Sequence, residues 1–416
     1  MNTFERMKDS QVKEAYLQSV RRKFRQEPER YERLTTYVRS PEFDGKLDDL
    51  NRGVYNISIP EKQAVRKMET NKKRTVFTFE EEDRFLFSFL SFMLHKYDER
   101  FSPCLHSYIK GRTVKDLLWK VNGLRKQGYV YGYKIDIKSY GENIGAEPLA
   151  EKLGEIIDDD PELLKFLRFM LLRGEYYEKG VFHNDGTGSL MGYSVHSFMM
   201  NLFLEDVDRR FEKEAPFYAR YVDDILILCK SRQQAEELGA GYIEELKAKG
   251  LKLNEKKTSV ILPEDSLVYL GIILRDDDVI DISPFTIDKM KRRTRIRGRR
   301  YRRAVLNGKM TKEEATKAYF DITNSALFGQ EIGEEFNGRD AGLVERYAYI
   351  INTTESLHKL DRYVQLYARY ISTGKFRAKH WSITYEALKK LGYRSCFRDY
   401  YTFRYRKDCV EQDSTR

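Results

Sequence analysis

The sequence predicts an α+β protein in which an antiparallel sheet carries helices on one face. The first observation is the order of patterns between 129 and 275, which runs strand, helices, strand hairpin, helix, strand, strand. The second is the mostly helical pattern from 284 to the end of the chain. The third is the composition, because 41% hydrophobic and 34% charged residues are typical of a globular chain. A length of 416 residues allows about two or three domains.

The net charge bears on which partners the protein can bind, and the cysteine content bears on its cellular compartment. Lys and Arg number 75 against 65 Asp and Glu, and this formal net charge of +10 is compatible with a polyanion partner without requiring one. The four cysteines are scattered, with no CxxC pair, which argues against a disulfide scaffold and a cysteine zinc site. The polar first residues and the short apolar stretch at 85–94 predict neither a signal peptide nor a membrane span, and so a cytoplasmic protein.

The first third of the chain is predicted to be helical around one short strand. Residues 1–50 have the pattern of polar helix and turn, and 72–79 that of a strand. A helix is expected over 79–101, where acidic residues in the first turn complement the helix dipole. A turn around Gly111 precedes a helix that runs through Trp119.

The central segment contains the predicted sheet. Tyr, Val and Ile enrichment predicts a strand over 129–137, and two apolar runs around Asp223-Asp224 predict a hairpin over 219–229. Two further strands are expected over 257–263 and 266–275. Helices are expected at 148–157, from Asp160-Pro161 onward, at 193–211 and at 231–250 before a Gly250 C-cap, with a turn at 184–188.

Two apolar strands carry acidic residues where a packed strand should not. Asp136 lies in Tyr-Lys-Ile-Asp-Ile, and Asp223 and Asp224 interrupt the second apolar run. Burying such a carboxylate is costly unless something pairs with it. One interpretation is an edge strand or turn with solvated acids. The other is a group of carboxylates that holds hard divalent cations such as Mg²⁺, which take oxygen ligands.

The sequence resembles the reverse transcriptase family over roughly 72–275, where its motifs follow in the family's order. YVDD with ILIL resembles the family's [FY]-x-D-D hairpin, and KIDIKSY resembles its D-I-K-x-[FY] strand. NKKRTVFTFEEEDR and SYIKGRT are similar to the finger motifs, and GTGSLMGYSVHSFMMNLFL to the helix under the template. GLKLNEKKTSVI resembles G-L-x-[LV]-N-x-x-K-T, and VYLGIIL resembles the primer grip.

The resemblance implies a role for particular residues. Asp136, Asp223 and Asp224 would be catalytic and would hold two Mg²⁺ ions, for which Mn²⁺ can substitute, with Ile137 lending a backbone carbonyl. Lys257 would be the proton donor to the pyrophosphate. The implied nucleotide or template contacts are Arg74, Lys110, Arg112 and Gly192, and the implied primer grip is Tyr269, Leu270 and Gly271. For an isolated Lys or Arg, ordinary solvated surface is the alternative.

The resemblance also implies an architecture and an activity. A right-hand polymerase would have an N-terminal helical extension over 1–60, fingers over 61–128, a palm over 129–282 and a helical thumb with a C-terminal extension over 283–416. RNA-templated DNA synthesis would need an RNA template, expected to be a structured non-coding RNA, together with dNTPs and a DNA product. Two alternatives stay open: a template-independent or protein-primed nucleotidyl transferase, and a non-enzymatic RNA-binding protein. The sequence does not predict an oligomeric state.

Several positions depart from the family pattern. The family usually has a second aromatic after D-I-K-x-[FY], which excludes the ribose 2′-hydroxyl, and this chain has Gly141 there, directly after Tyr140. Three interpretations stay open: Tyr140 takes over through a bulge at Gly141, another side chain fills the gap, or sugar selection is relaxed. Met191 and His196 replace the usual Gln and Ser of the template helix. These departures favour the divergent bacterial groups linked to abortive infection and anti-phage defence over group II intron or retroviral enzymes.

A basic run follows the predicted primer grip. Residues 289–303 contain ten Lys or Arg, and such a run repels itself unless phosphate contacts relieve the repulsion. The predicted nucleic-acid contacts are Arg292, Arg293, Arg295, Arg297, Arg299, Arg300, Arg302 and Arg303. A solvated helix face is the alternative. The tail at 376–407 interleaves aromatic and basic residues, which fits either base stacking or a helical core.

Overall fold

The computed structural model describes residues 1–24, 27–66, 73–184, 193–329, 342–376 and 383–413. The side chains of 66, 73–74 and 405–413 are outside that description. The chain forms two units, one of residues 1–117 with 123–263 and one of residues 118–122 with 264–416. The four-part subdivision predicted above stays a prediction.

Four helices open the first unit, and short polar side chains cap three of them, α1, α2 and α4. They are α1 (Thr3–Met7), α2 (Ser10–Arg21), α3 (Pro28–Val38) and α4 (Pro41–Asn51). Asn2 and Glu5 form a capping box, and Asp9 and Ser40 accept hydrogen bonds from the first turns of α2 and α4. The helices predicted within 1–50 are confirmed, and their apolar faces are part of the core, where Tyr16 stacks on Phe89 with ring centroids 4.2 Å apart.

A small sheet follows, in the order β2-β1-β4-β5. Its strands are β1 (Glu61–Arg66), β2 (Lys73–Thr78), β4 (Glu175–Glu178) and β5 (Val181–Asn184). The helix predicted over 79–101 is α5 (Glu81–Met93) followed by a 3₁₀ segment at Leu94–Arg100. A further helix, α6 (Val114–Lys126), begins at the Thr113 N-cap.

The second sheet is antiparallel, in the order β6-β7-β3-β8. Its strands are β3 (Tyr131–Asp136), β6 (Phe217–Tyr221), β7 (Asp224–Cys229) and β8 (Ser259–Ile261). The helices of this part are α7 (Ala146–Ile156), α8 (Pro161–Leu172), α9 (His196–Phe203), α10 (Glu205–Glu214) and α11 (Arg232–Ala248). Helix α11 packs closely on β3, because a Cβ at Gly239 would lie 2.2 Å from the Tyr133 ring. The α+β prediction with an antiparallel sheet is confirmed.

Two predicted elements differ in detail. The helix expected over 193–211 is divided at Leu204 into α9 and α10. The strand expected over 129–137 ends at Asp136, because Ser139 takes a left-handed φ of 50° and a 3₁₀ turn follows at Tyr140–Glu142. The turn expected at 184–188 lies largely outside the described residues.

The second unit combines a three-stranded sheet with helices. The strands are β9 (Leu267–Tyr269), β10 (Ile272–Leu274) and β11 (Ile280–Ile282). The helices are α12 (Pro284–Leu306), α13 (Lys312–Phe328), α14 (Leu343–Ala348), α15 (Glu355–Thr373), α16 (Tyr385–Lys390) and α17 (Cys396–Asp413). The tail aromatics Tyr393, Tyr400 and Phe403 are buried, which supports the core interpretation for these three residues. Among the residues described, no helix is long and apolar enough to cross a bilayer.

Candidate active site

The hairpin between β6 and β7 carries two of the predicted catalytic acids in a strained turn. Tyr221 pairs with Asp224, so Val222 and Asp223 form a two-residue turn. Val222 has a φ of 59°, which is a costly conformation for a β-branched residue. Such strain is typical of positions that the surrounding structure fixes for a function, and it costs on the order of 1–3 kcal/mol.

Three hydrogen bonds hold this turn. The Val222 N–H donates to Ser107 Oγ at 3.0 Å, and the Val222 carbonyl accepts from Arg220 Nη1 at 3.3 Å. The Asp223 carbonyl accepts from the Ile137 N–H at 3.1 Å. The turn is therefore anchored to the SYIKGRT loop, to its own strand and to the end of β3.

Arg220 is the centre of a buried network beneath the hairpin. Its side chain and that of Asp208 are fully buried and form an ion pair, with Arg220 Nε donating to Asp208 Oδ1 at 2.8 Å. Arg220 Nη2 also donates to the Asn201 carbonyl at 2.8 Å. The Asn201 side chain bonds in turn to Ser107, whose hydroxyl holds the turn. The network therefore connects the hairpin to Asn201 on α9 and Asp208 on α10. Breaking it is costly, because removing one partner of the ion pair leaves a buried charge.

Asp136 lies opposite Asp224, because the two residues are partners in the β3–β7 register. Its carboxylate is buried and accepts from Asn254 Nδ2 at 2.7 Å and from Lys257 Nζ at 2.6 Å. Its N–H donates to Thr258 Oγ1 at 3.3 Å. Three residues of the N-E-K-K-T segment therefore bind Asp136, so one structural role of this motif is to position that aspartate.

The electrostatics of the site reflect crowded carboxylates. Burial raises the pKa of Asp224 to about 6, and the charges of Asp223 and Asp136 act in the same direction while Lys134 and Lys257 oppose it. Partial burial disfavours the charged form of Lys257, but the hydrogen bond to Asp136 and the charges of Asp136, Asp224 and Asp223 together outweigh this and raise the pKa of Lys257. The cluster therefore attracts a cation, and Lys257 supplies a charge close to it.

These residues fit a hard divalent cation by their chemistry, since their donors are carboxylate oxygens and the Ile137 carbonyl. Among the residues described, however, no three acidic, His or Cys side chains converge closely enough to form a metal site. One reason for this is that both carboxylate oxygens of Asp136 are engaged in hydrogen bonds, one with Asn254 and one with Lys257.

The predicted nucleotide contacts differ in their surroundings. Lys110 is exposed, and no described residue pairs with its ammonium group. Arg112 Nη1 donates to the carbonyls of Ser102 and Leu105, both at 2.6 Å, so this guanidinium supports its own loop. The Arg74 side chain and Gly192 lie outside the described residues.

Tyr140 points into the core and not along a continuing strand. Its side chain is 2% exposed, and its hydroxyl donates to the Met200 carbonyl at 2.7 Å. Gly141 follows within the 3₁₀ turn and is partly exposed. The bulge that would let Tyr140 replace the missing aromatic is not the geometry observed. Sugar selection by Tyr140 therefore has no support from its position.

The predicted primer grip is the turn between β9 and β10. Tyr269 is fully buried, while Leu270 and Gly271 have φ values of 49° and 82°, as a two-residue type I′ hairpin requires. The Gly271 carbonyl accepts from the Ser283 N–H at 2.9 Å and ties the turn to the start of α12. Leu270, like Val222, is thus a non-glycine residue with a positive φ in a two-residue hairpin turn.

Helix α12 separates its arginines into two groups. Arg292, Arg295, Arg299, Arg300 and Arg303 are exposed. Arg293, Arg297 and Arg302 are partly buried, and Arg302 Nη1 donates to the Ile371 carbonyl at 3.0 Å. Burial and the neighbouring Arg293 lower the pKa of Arg297. We name the row Arg292, Arg295, Arg299 and Arg303 the basic ridge, since its members follow one another by about one helical turn.

Sequence reasoning missed the residues that support the acids. Asn254 and Thr258 could have been found, because they belong to the same motif as Lys257. An arginine inside an apolar strand was also a signal for Arg220. Nothing in the local pattern pointed to Asp208 as its partner.

Comparison with known proteins agrees with this geometry. The antiparallel sheet brings the acids of β3 and of the β6–β7 hairpin to face each other. The family described as reverse transcriptase (RNA-dependent DNA polymerase) matches residues 59–274, just over half of the chain. The chain belongs to the reverse transcriptase family. No curated protein matches it.

Solved structures similar to the chain include yeast telomerases. A C-terminally truncated apo telomerase from Candida tropicalis is 14% identical with a TM-score of 0.42, over 54% of this chain and 55% of that one. Telomerase from Candida albicans with a TWJ fragment of telomeric RNA is 11% identical with a TM-score of 0.44, over 89% and 71%. The apo Candida tropicalis telomerase is 12% identical with a TM-score of 0.43, over 80% and 68%. This chain thus matches about half the length of the truncated telomerase.

The Ser107 hydroxyl should matter for catalysis more than for stability. Ser107→Ala removes the acceptor of the Val222 N–H, so we expect kcat for nucleotide addition to fall about tenfold, with KM changing less. Ser107→Thr keeps a hydroxyl and should restore most of kcat. Steady-state kinetics with melting temperatures measure both effects. A loss of stability with unchanged kcat would show that Ser107 only supports the fold.

Proposed function

We propose that the chain is an RNA-directed DNA polymerase that adds deoxynucleotides at the β3–β7 end of the palm sheet. The observation that carries this proposal is the in-register pairing of Asp136 with Asp224, next to Asp223 in a strained and anchored turn. Burying such carboxylates without a cation costs folding free energy. A purely structural role would not require acidic residues at these positions. The family match over 59–274 supports the reaction class.

Asp136, Asp223, Asp224 and the Ile137 carbonyl would hold two Mg²⁺ ions, with Mn²⁺ as a substitute. When bound, such ions supply activation of the attacking hydroxyl and stabilisation of the leaving pyrophosphate. Asn254 and Thr258 orient Asp136. Lys257, whose side chain is 59% exposed, can leave Asp136 and deliver a proton to the pyrophosphate.

The biological setting is also a proposal. Gly141, Met191 and His196 depart from the group II intron and retroviral patterns, which supports a bacterial, cytoplasmic enzyme of anti-phage defence that copies a dedicated structured non-coding RNA. Sequencing the RNA and DNA that copurify with the protein tests this. A single RNA species with complementary DNA is expected, while DNA without an RNA complement would favour a template-independent transferase.

The absence of a side chain at Gly141 should relax sugar selection. Because Tyr140 is buried, we expect the wild type to incorporate ribonucleotides measurably, and Gly141→Phe to suppress this while sparing dNTP use. Tyr140→Phe removes only the hydrogen bond to Met200 and should leave the rNTP/dNTP ratio unchanged. Parallel single-turnover assays of the three proteins measure the ratio. An unchanged ratio in Gly141→Phe would place the selection elsewhere.

A further inference from the structure

A continuous open groove crosses the first unit between the N-terminal helices and the SYIKGRT loop. Two adjoining hollows of about 600 and 520 Å³ share five lining residues, including Lys23 and Lys110. One side comes from α1, α2 and the 3₁₀ turn at Arg22–Phe24, and the other from α5 and the segment that follows it. The groove is therefore built partly from an N-terminal segment to which the resemblance assigns no role.

The charge of this groove is strongly positive. Arg6, Lys23 and Lys110 contribute cationic side chains that have no partner among the residues described. Lys96 is also in the lining, but it is held by Asp159 and Asp160 at 3.4 and 3.5 Å. The acidic group within the described lining is Asp98, which His95 engages at 2.8 Å and which accepts from the Lys110 N–H at 2.8 Å. Three unpaired cations along one groove favour an anionic ligand with several charges.

One end of the groove lies next to the residues that hold the β6–β7 turn in place. Asn201 lines that end, and its side chain is hydrogen bonded to Ser107, which holds Val222. Tyr108 lies beside it with 51% of its surface exposed and a φ of 55°. An exposed aromatic ring next to a basic groove is the arrangement on which an unpaired base can stack.

We propose that this groove binds the sugar-phosphate backbone of single-stranded nucleic acid, namely the uncopied part of the template beyond the active site. The proposal rests on the proposed polymerase function. A strand fits better than a free nucleotide, because the hollow lined by the three cations adjoins a second hollow that continues to Tyr108 and Asn201. The N-terminal helices α1 and α2, with the turn that follows α2, thus form one wall of the template path.

Binding of a single strand without synthesis tests the ligand. The probe is an oligouridylate of about 12 nucleotides, within the usual site size of single-strand grooves. Arg6→Gln with Lys23→Gln in the full chain should lower the log–log salt slope by about 1.4, since each contact to a single strand contributes roughly 0.7. The wild-type advantage in affinity should then shrink about sevenfold between 50 and 200 mM salt. The matched control Lys213→Gln with Arg232→Gln, on α10 and α11, should leave the slope unchanged.

The length of the template overhang separates this proposal from the polymerase proposal. On a primer–template with one unpaired template nucleotide, the Arg6/Lys23 variant should extend the primer like wild type. On a template with about 12 unpaired nucleotides, its apparent KM for the template should rise severalfold. Equal effects on both templates, no effect on either, or loss of only triphosphate binding would overturn the groove assignment. Absence of extension by wild type would contradict the polymerase proposal, while the binding assay would still test the groove.

Discussion

Asp223→Asn combined with Asp224→Asn should abolish DNA synthesis, with a loss of about 1,000-fold or more. Charge stabilisation of the transition state in such sites amounts to several kcal/mol, and each 1.4 kcal/mol is about a tenfold change in rate. The fold should survive, because the substitutions keep the side-chain shape and remove repulsion among Asp136, Asp223 and Asp224. Primer extension and thermal unfolding of the same preparation measure the two effects.

The control for this substitution is an equal loss of charge elsewhere. Asp276→Asn with Asp277→Asn changes two adjacent exposed aspartates in the turn before β11 and should leave synthesis near wild type. Binding of a template duplex should be retained in both variants. Synthesis by the Asp223/Asp224 variant at more than a tenth of the wild-type rate would contradict the site assignment.

Neutralising the basic ridge should weaken nucleic-acid binding in a salt-dependent way. Replacing Arg292, Arg295, Arg299 and Arg303 by Gln removes four exposed cations from one face of α12. If each neutralises one duplex phosphate, the log–log slope falls by about 3.6, and the wild-type advantage shrinks about 150-fold between 50 and 200 mM salt. Affinity for a primer–template duplex at several salt concentrations measures the slope.

Four lysines on other helices of the same unit provide the matched control. Lys312, Lys317, Lys359 and Lys390 are exposed, and their replacement by Gln removes the same net charge. This control should change the slope by less than about one. Equal slopes for the two variants would mean that α12 acts only through net charge. Arg302→Gln should instead lower stability, because its guanidinium is bonded to the Ile371 carbonyl inside the unit.

The order of the elements and the candidate acids were accessible from the sequence because both are local signals. Apolar runs flanked by turn residues predicted β3, the β6–β7 hairpin and β8, and misplaced carboxylates in those runs marked Asp136 and Asp223. The facing register of Asp136 and Asp224 was not accessible, since strand pairing depends on contacts far apart in the chain.

Local sequence patterns could not predict which side chains are buried or which partners they bind. Arg112 and Tyr140 both belong to recognised motifs, yet one supports its own loop and the other is buried against α9. The Arg220–Asp208 pair joins a strand to a helix that the sequence presents only as a charged amphipathic segment. These outcomes depend on which polar groups the fold leaves buried and in need of a partner.

Template-directed incorporation by the purified protein tests the central claim most directly. The assay supplies polyriboadenylate annealed to oligodeoxythymidylate with Mg²⁺ and offers each dNTP separately, with the Asp223/Asp224 variant beside the wild type. We expect stepwise extension by wild type with dTTP alone, and no extension with dATP, dCTP or dGTP or by the variant. Equal incorporation of all four nucleotides, or extension that does not require the RNA strand, would contradict RNA-directed synthesis.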